Sequence, residues 1–247
     1  MRKKNSDEIR LCVNYKRLND ITVNDPMPMP EIDDILAKLG QSKWYSTVDM
    51  CRGYYGVPLD EQSRDCSTFC TPKQNYRWKV MTFGLKTAGT TYTQLLKMVL
   101  KGAINLENFI DDVTGHSESF YGHLAVLRDL FTRVKAANLK IKPSKTKFGY
   151  PEVEFLGHVV SQGHIKPTEA HVEKILNAPV PKTKKEVRSL LGAVNFIRKF
   201  IPNSAGVLKP ITDLTSKGSS EDVKWQEKHQ NAFDKIKEAC AEIISAK

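Results

Sequence analysis

Phe109-Ile110-Asp111-Asp112-Val113-Thr114-Gly115-His116 sets two adjacent carboxylates between two β-compatible runs. Successive side chains of a strand point to opposite faces, so both acids can serve one place only at a tight turn between strands. The stretch therefore predicts a hairpin with the Asp pair at its tip. A second short run, Trp44-Tyr45-Ser46-Thr47-Val48, reads as a strand and delivers Asp49. If the two lie side by side, Asp49 converges on the same point. Three carboxylates together repel one another and are poorly stable without a cation. Oxygen ligands suit Mg²⁺, which keeps room for water and phosphate oxygens. Two such ions about 3.5–4 Å apart can activate an attacking oxygen and neutralise a leaving phosphate. Taken alone, the dipeptide also fits a solvated turn. The apolar residues before it, the second strand-end Asp and the basic chain around them favour a metal-dependent reaction.

The bulk composition fits that direction. The chain has 247 residues, enough for one large domain or two to three smaller ones. Lys and Arg number 38 against 28 Asp and Glu, a net charge of +10, and the pI is about 9.3. Such an excess suits a polyanionic partner, although a soluble protein can simply be basic. Cys12, Cys51, Cys66, Cys70 and Cys240 lack zinc-site spacing and read as free thiols of a reducing compartment. Met1-Arg2-Lys3-Lys4 is followed by polar residues, so no secretion signal is expected. No apolar run approaches the roughly 20 residues of a membrane span. These features predict an intracellular protein with no membrane partner.

Periodicity gives the remaining elements. Ile9, Leu11, Val13 and Tyr15 alternate with polar residues and predict a strand over 9–15. The Pro-rich stretch 25–30 is a stiff connector. A helix follows, with Ile32, Ile35, Leu36 and Leu39 on one stripe and Gly40 as its stop. Gly53 marks a turn and 55–59 looks extended. Residues 68–81 suggest a hairpin broken at 73–75. Helices are expected over 88–100 and 119–138, the second burying Leu124, Leu127, Leu130, Phe131 and Val134. Strands follow at 146–149 and 153–160. This interleaving describes an α+β unit with a largely antiparallel sheet. After Pro167, helices over 168–178 and 183–200 form a small helical subdomain, and an amphipathic stretch around Trp225, Phe233 and Ile236 ends the chain.

The motifs form an ordered set: Asp49-Met50-Cys51-Arg52-Gly53-Tyr54, Thr82-Phe83-Gly84-Leu85, Phe109 to Asp112, Phe155-Leu156-Gly157-His158 and Leu190-Leu191-Gly192. In this order and spacing the chain resembles, over nearly its whole length, the reverse transcriptase of gypsy-type LTR retrotransposons and, more distantly, of retroviruses. The resemblance implies a right-hand polymerase fold, with partial fingers at 1–23 and 57–82 and palm at 24–56 and 83–167. It implies a helical thumb at 168–215 and the start of a connection segment at 216–247. It further implies an RNA-directed DNA polymerase core of a Pol polyprotein, working in a cytoplasmic particle or the nucleus and using two Mg²⁺ ions, with Mn²⁺ as a substitute. The expected partners are dNTPs and a primed RNA or DNA template, including an RNA–DNA hybrid; the oligomeric state is left open.

On that basis Asp49, Asp111 and Asp112 are the catalytic carboxylates, with the Met50 carbonyl as a further metal ligand. Arg10, Lys3, Arg52, Gly53, Tyr54 and Phe83 line the dNTP site. Arg10 would contact the triphosphate, and Tyr54 would act as a steric gate against a 2′-hydroxyl. Phe155, Leu156, Gly157 and His158 match the primer grip. Lys140, Lys142, Lys145, Lys184, Lys185 and Arg188 would face the nucleic-acid backbone. Four departures stand out. The sequence starts almost at the fingers segment matching 9–19, Asn14 replaces a usual Asp and Gly89 a usual Pro. No acidic residues of ribonuclease H follow. Two alternatives remain: a truncated or domesticated remnant that binds nucleic acid without polymerising, and a metal-dependent nuclease, for which His116 would be the nearby base.

Overall fold

The computed structural model describes residues 11–23, 27–28, 30–51, 53–216 and 220–245. Its contacts divide the chain into two compact units, residues 1–153 with 161–163, and residues 154–160 with 164–247.

In chain order the first unit contains α1 (Lys16–Ile21), α2 (Ile32–Leu39), β1 (Trp44–Asp49), α3 (Glu61–Cys66), β2 (Phe69–Cys70), β3 (Asn75–Tyr76), α4 (Ala88–Val99), β4 (Leu106–Phe109), β5 (Asp112–Ser117), α5 (Phe120–Ala136) and β6 (Lys147–Tyr150). Four of these strands form an antiparallel sheet in the order β4-β5-β1-β6. The apolar face of β1 and β5, through Val48 and Val113, packs with Tyr92 and Leu96 of α4 and with Val126, Leu130 and Val134 of α5. Ser119 caps α5 by accepting the Gly122 N–H at 3.1 Å. In α2, Asp33 and Asp34 in the first turn and Lys38 in the last suit the helix dipole, while Ile35, Leu36 and Leu39 are buried.

The chain then forms β7 (Glu152–Phe155), β8 (His158–Ser161) and β9 (His164–Pro167), a three-stranded sheet. The second unit continues with α6 (Glu169–Leu176), α7 (Lys184–Ile197), α8 (Ser204–Asp213) and α9 (Glu227–Ser245). Its core joins Val172, Val187, Val194, Ile197, Ile211, Phe233 and Ile236 from all four helices. Thr183 caps α7 by accepting the Glu186 N–H, and the Glu186 carboxylate accepts the Lys182 N–H at 2.7 Å. Among the described residues no helix is long and apolar enough to cross a membrane.

Several expectations are corrected. Residues 11–15 form no strand, and Ile9 and Arg10 lie outside the described residues. Alternation alone makes no strand without a ladder partner. Here Tyr15 is instead buried and donates its hydroxyl to the Ser67 carbonyl at 2.9 Å. Tyr55 lies in a short 3₁₀ turn, Gly53–Gly56, and not in extended chain. The stretch 153–160 is a hairpin and not one strand, because Leu156 and Gly157 both take positive φ. On α5, Leu124 and Phe131 are exposed and His123 and Val126 are buried in their place.

Candidate active site

The hairpin and the strand of the opening reading do meet. Asp49, the last residue of β1, lies directly across the ladder from Asp112, the first of β5. Directly opposed residues share a face, so both carboxylates leave the sheet on one side. On its other side Asp112 pairs with Phe109, leaving Ile110 and Asp111 as a two-residue turn. Ile110 takes φ +57°, a region that a β-branched side chain enters at a cost of about 1–2 kcal/mol. The turn holds Asp111 beside the pair, close enough for its charge to act on Asp112.

The charges around the triad are unequal. Loss of solvation raises the Asp112 pKa above its ordinary value, and the charges of Asp111 and Asp49 raise it further; Lys145 opposes them. Lys145 donates from Nζ to Asp49 Oδ2 at 2.8 Å. The hydrogen bond to Asp49 and its charge hold the ammonium pKa up. Among the described residues no three His, Cys, Asp or Glu side chains are arranged to hold a metal ion as they stand. The donor set nevertheless fits a hard divalent cation. It consists of three carboxylates on one sheet end, and the charge of one, Asp112, is penalised by burial and by the other two. The bridge between Met50 and Ile141 is closed by Cys51 N–H to Lys140 O at 2.6 Å and Lys142 N–H to Asp49 O at 2.9 Å. It therefore consumes the Asp49 carbonyl and not that of Met50.

Beside the triad lies an aromatic wall. The Tyr54 ring stands edge-on to Phe83 at 5.3 Å and to Tyr92 at 5.7 Å between centroids. Tyr55 packs on Phe83 and Trp78. Gly53 is needed for close approach, since a Cβ there would fall 2.7 Å from the Tyr92 ring. Tyr92 is fully buried, and its hydroxyl has no hydrogen-bond partner among the described residues. Burial raises the pKa of both Tyr54 and Tyr92, and the Asp111 charge adds to it. Arg10, Lys3 and Arg52 lie outside the described residues.

His116 lies four residues beyond Asp112 on β5, roughly 13 Å along a strand. It is buried, with Nδ1 bonded to Ser42 Oγ at 2.8 Å. It is thus placed away from the carboxylates that a nuclease base would have to serve.

In the second unit, Phe155-Leu156-Gly157-His158 forms the β7–β8 turn. Gly157 has φ +76°, and a Cβ there would lie 2.8 Å from both His171 and Phe196. His158 is buried against Phe196 and Phe200. Lys185 and Arg188 are exposed on α7. Lys184 departs from its expected outward role, because it is buried and donates to the Ser216 carbonyl at 2.9 Å. Lys140 is exposed and Lys142 is half-buried. Lys145 turns to Asp49. Neither that contact nor the place of Tyr92 beside the triad carried a signal in sequence, since Lys145 and Asp49 are 96 positions apart.

The chain and its fold have relatives among known proteins. Residues 1–160 match the family described as reverse transcriptase (RNA-dependent DNA polymerase). The chain is 35% identical over 234 residues to the retrovirus-related Pol polyprotein from transposon 297 of Drosophila melanogaster, covering 94% of this chain and 22% of that protein. It is 32% identical over 243 residues to the Pol polyprotein from transposon gypsy of the same organism, covering 94% and 24%. The chain thus spans about a quarter or less of these relatives. Among solved structures it resembles the foamy viral protease-reverse transcriptase dRH in complex with double-stranded DNA. The TM-score is 0.89 at 25% identity, over 97% of this chain and 42% of that one. The same viral enzyme in complex with an RNA/DNA hybrid matches with a TM-score of 0.79 at 25% identity, over 94% and 32%.

Proposed function

Because the chain belongs to the reverse transcriptase (RNA-dependent DNA polymerase) family, we propose that it extends a primer 3′-end with dNTPs on an RNA or DNA template. The observation that carries this reading is the cross-strand pair Asp49–Asp112 with Asp111 in the adjoining turn. The foamy viral relatives are bound to double-stranded DNA and to an RNA/DNA hybrid, which supports a primed duplex as partner here. Lys140, Lys142, Lys185 and Arg188 are proposed to meet its phosphates. The fingers, palm and thumb boundaries and the primer-grip role of Phe155 to His158 belong to the same proposal. The five cysteines stand as free thiols, which suits work inside the cell.

In this mechanism Asp49, Asp111 and Asp112, with the Met50 carbonyl, would hold two divalent cations. When bound, these would supply Lewis-acid activation of the primer hydroxyl and charge neutralisation at the leaving pyrophosphate. Asp112 opposes Asp49 across the ladder, so the two acids keep a fixed separation while the strained turn aims Asp111. Tyr54, held edge-on between Phe83 and Tyr92, offers a rigid ring that a 2′-hydroxyl would strike. Such a wall selects by steric exclusion and needs no hydrogen bond to the sugar.

The test is extension of a primed RNA template by the intact chain with dNTPs and Mg²⁺, beside Asp111→Asn. Extension by the intact chain and a loss of at least about a hundredfold in the variant are expected, as for other groups acting on developing charge. Absence of extension by the intact chain overturns the activity, and extension that survives Asp111→Asn overturns the site.

A further inference from the structure

Lys145 was expected on a surface that tracks phosphates, yet its ammonium lies 2.8 Å from Asp49 Oδ2. Its charge also reaches Asp112 and Asp111. Its backbone position is built into the fold. The segment before it is fastened to the end of β1 by the Cys51–Lys140 and Lys142–Asp49 backbone hydrogen bonds. Pro143 then opens a 3₁₀ turn, Pro143–Lys145, closed by Lys145 N–H to Lys142 O and Thr146 N–H to Pro143 O, both at 3.1 Å. Proline pre-sets φ for such a turn, so the stem of Lys145 starts from a fixed point beside the triad.

The far end of the side chain is not fixed in the same way. It is 55% exposed, and that of Asp49 is 32% exposed. An ammonium on a flexible four-carbon stem can leave Asp49 for water without opening a cavity or stranding a buried charge. An ion pair this exposed is weak, so a divalent cation can displace it. A fully buried pair would act as a lock, and one this open can exchange.

We propose that Lys145 is the exchangeable counter-cation of the triad. It holds Asp49 while the carboxylates carry no metal and yields Asp49 when a divalent cation binds. This rests on the reading of Asp49, Asp111 and Asp112 as the metal site. Lys145 thereby has opposite effects on two measurable quantities. It relieves carboxylate repulsion in the metal-free protein, and it competes with the metal for Asp49. A lysine with only a structural role would not raise metal affinity when removed.

The probe is Mn²⁺, titrated against the full chain at low salt without nucleotide or nucleic acid, with free Mn²⁺ followed by electron paramagnetic resonance. Lys145→Gln is expected to bind Mn²⁺ about three- to tenfold more tightly than the parent, from loss of a competing and repelling charge. Its metal-free melting temperature should fall or stay level. Lys145→Arg keeps the charge and should bind like the parent. Asp49→Asn and Asp111→Asn should both bind more weakly. Unchanged or weaker binding by Lys145→Gln, with the Asp variants still impaired, overturns the role of Lys145 alone. Asp variants that bind Mn²⁺ as the parent does overturn the metal-site reading on which it rests.

Discussion

Tyr92 carries a buried hydroxyl that the described residues leave without a partner. Its ring does the evident work, backing Tyr54 and filling the space that Gly53 leaves open. Leaving a polar group desolvated and unpaired costs about 1–3 kcal/mol. Tyr92→Phe keeps the ring and removes that cost, so it should stabilise the folded chain by about 1 kcal/mol in urea melts. A destabilised variant would show that the hydroxyl is hydrogen-bonded in solution. At this scale the carboxylates were legible because an acid closing an apolar run has few structural uses. The ring of Tyr54 and the turn at Gly157 were legible through motif order. Tyr92 read only as one more apolar position of α4, and Lys145 as one charge in a basic stretch. Their significance lies in contacts between distant segments, which no local pattern encodes.

Elements were readable where one face decides everything. The stripe of α2 and the strand Trp44–Asp49 formed as expected, because each has a single apolar side to bury. On α5 the apolar residues cover more than one face, and the sheet beneath selects among them. It takes His123 and Val126 and leaves Leu124 and Phe131 outside. α3 is too short for a period to show, and α8 carries Pro210 inside it, a residue that reads as a helix breaker. The choice of His123 has a measurable result. Its Nε2 bonds to Ser46 Oγ of β1 at 2.7 Å, and His116 of β5 bonds to Ser42. Burial lowers the pKa of both rings below 6.5. As pH falls through 6.5 the unfolded chain takes up protons that the folded chain resists. Stability is therefore full above that value and lost below it, by up to about 1.4 kcal/mol per pH unit for each ring. Melting temperatures measured from pH 7.5 down to 5.5 should fall, and His123→Gln should flatten the slope. A slope unchanged in that variant would show that His123 is already protonated in the folded state or that its burial is relieved in solution.

At the scale of the whole molecule, the two units keep separate cores. One gathers residues from Val48 to Ile141 around α4, α5 and the four-stranded sheet, and the other gathers residues from Val172 to Ile243 around α6 to α9. Among the described residues none belongs to both. Cooperative unfolding follows shared packing, so each core is a candidate cooperative unit. The change in hydropathy pattern after Pro167 made the second unit visible in sequence. Its start at Glu154 was not, because there the turn Leu156–Gly157 is packed on α6 and α7 through His171 and Phe196. Gly157→Ala is then a local probe. A Cβ at φ +76° and 2.8 Å from two rings should cost about 2–4 kcal/mol. Calorimetry of the parent should resolve two transitions, with Gly157→Ala lowering one and Tyr92→Phe raising the other. If both variants move a single common transition, the two cores unfold as one body and the site and the Gly157 turn share one stability.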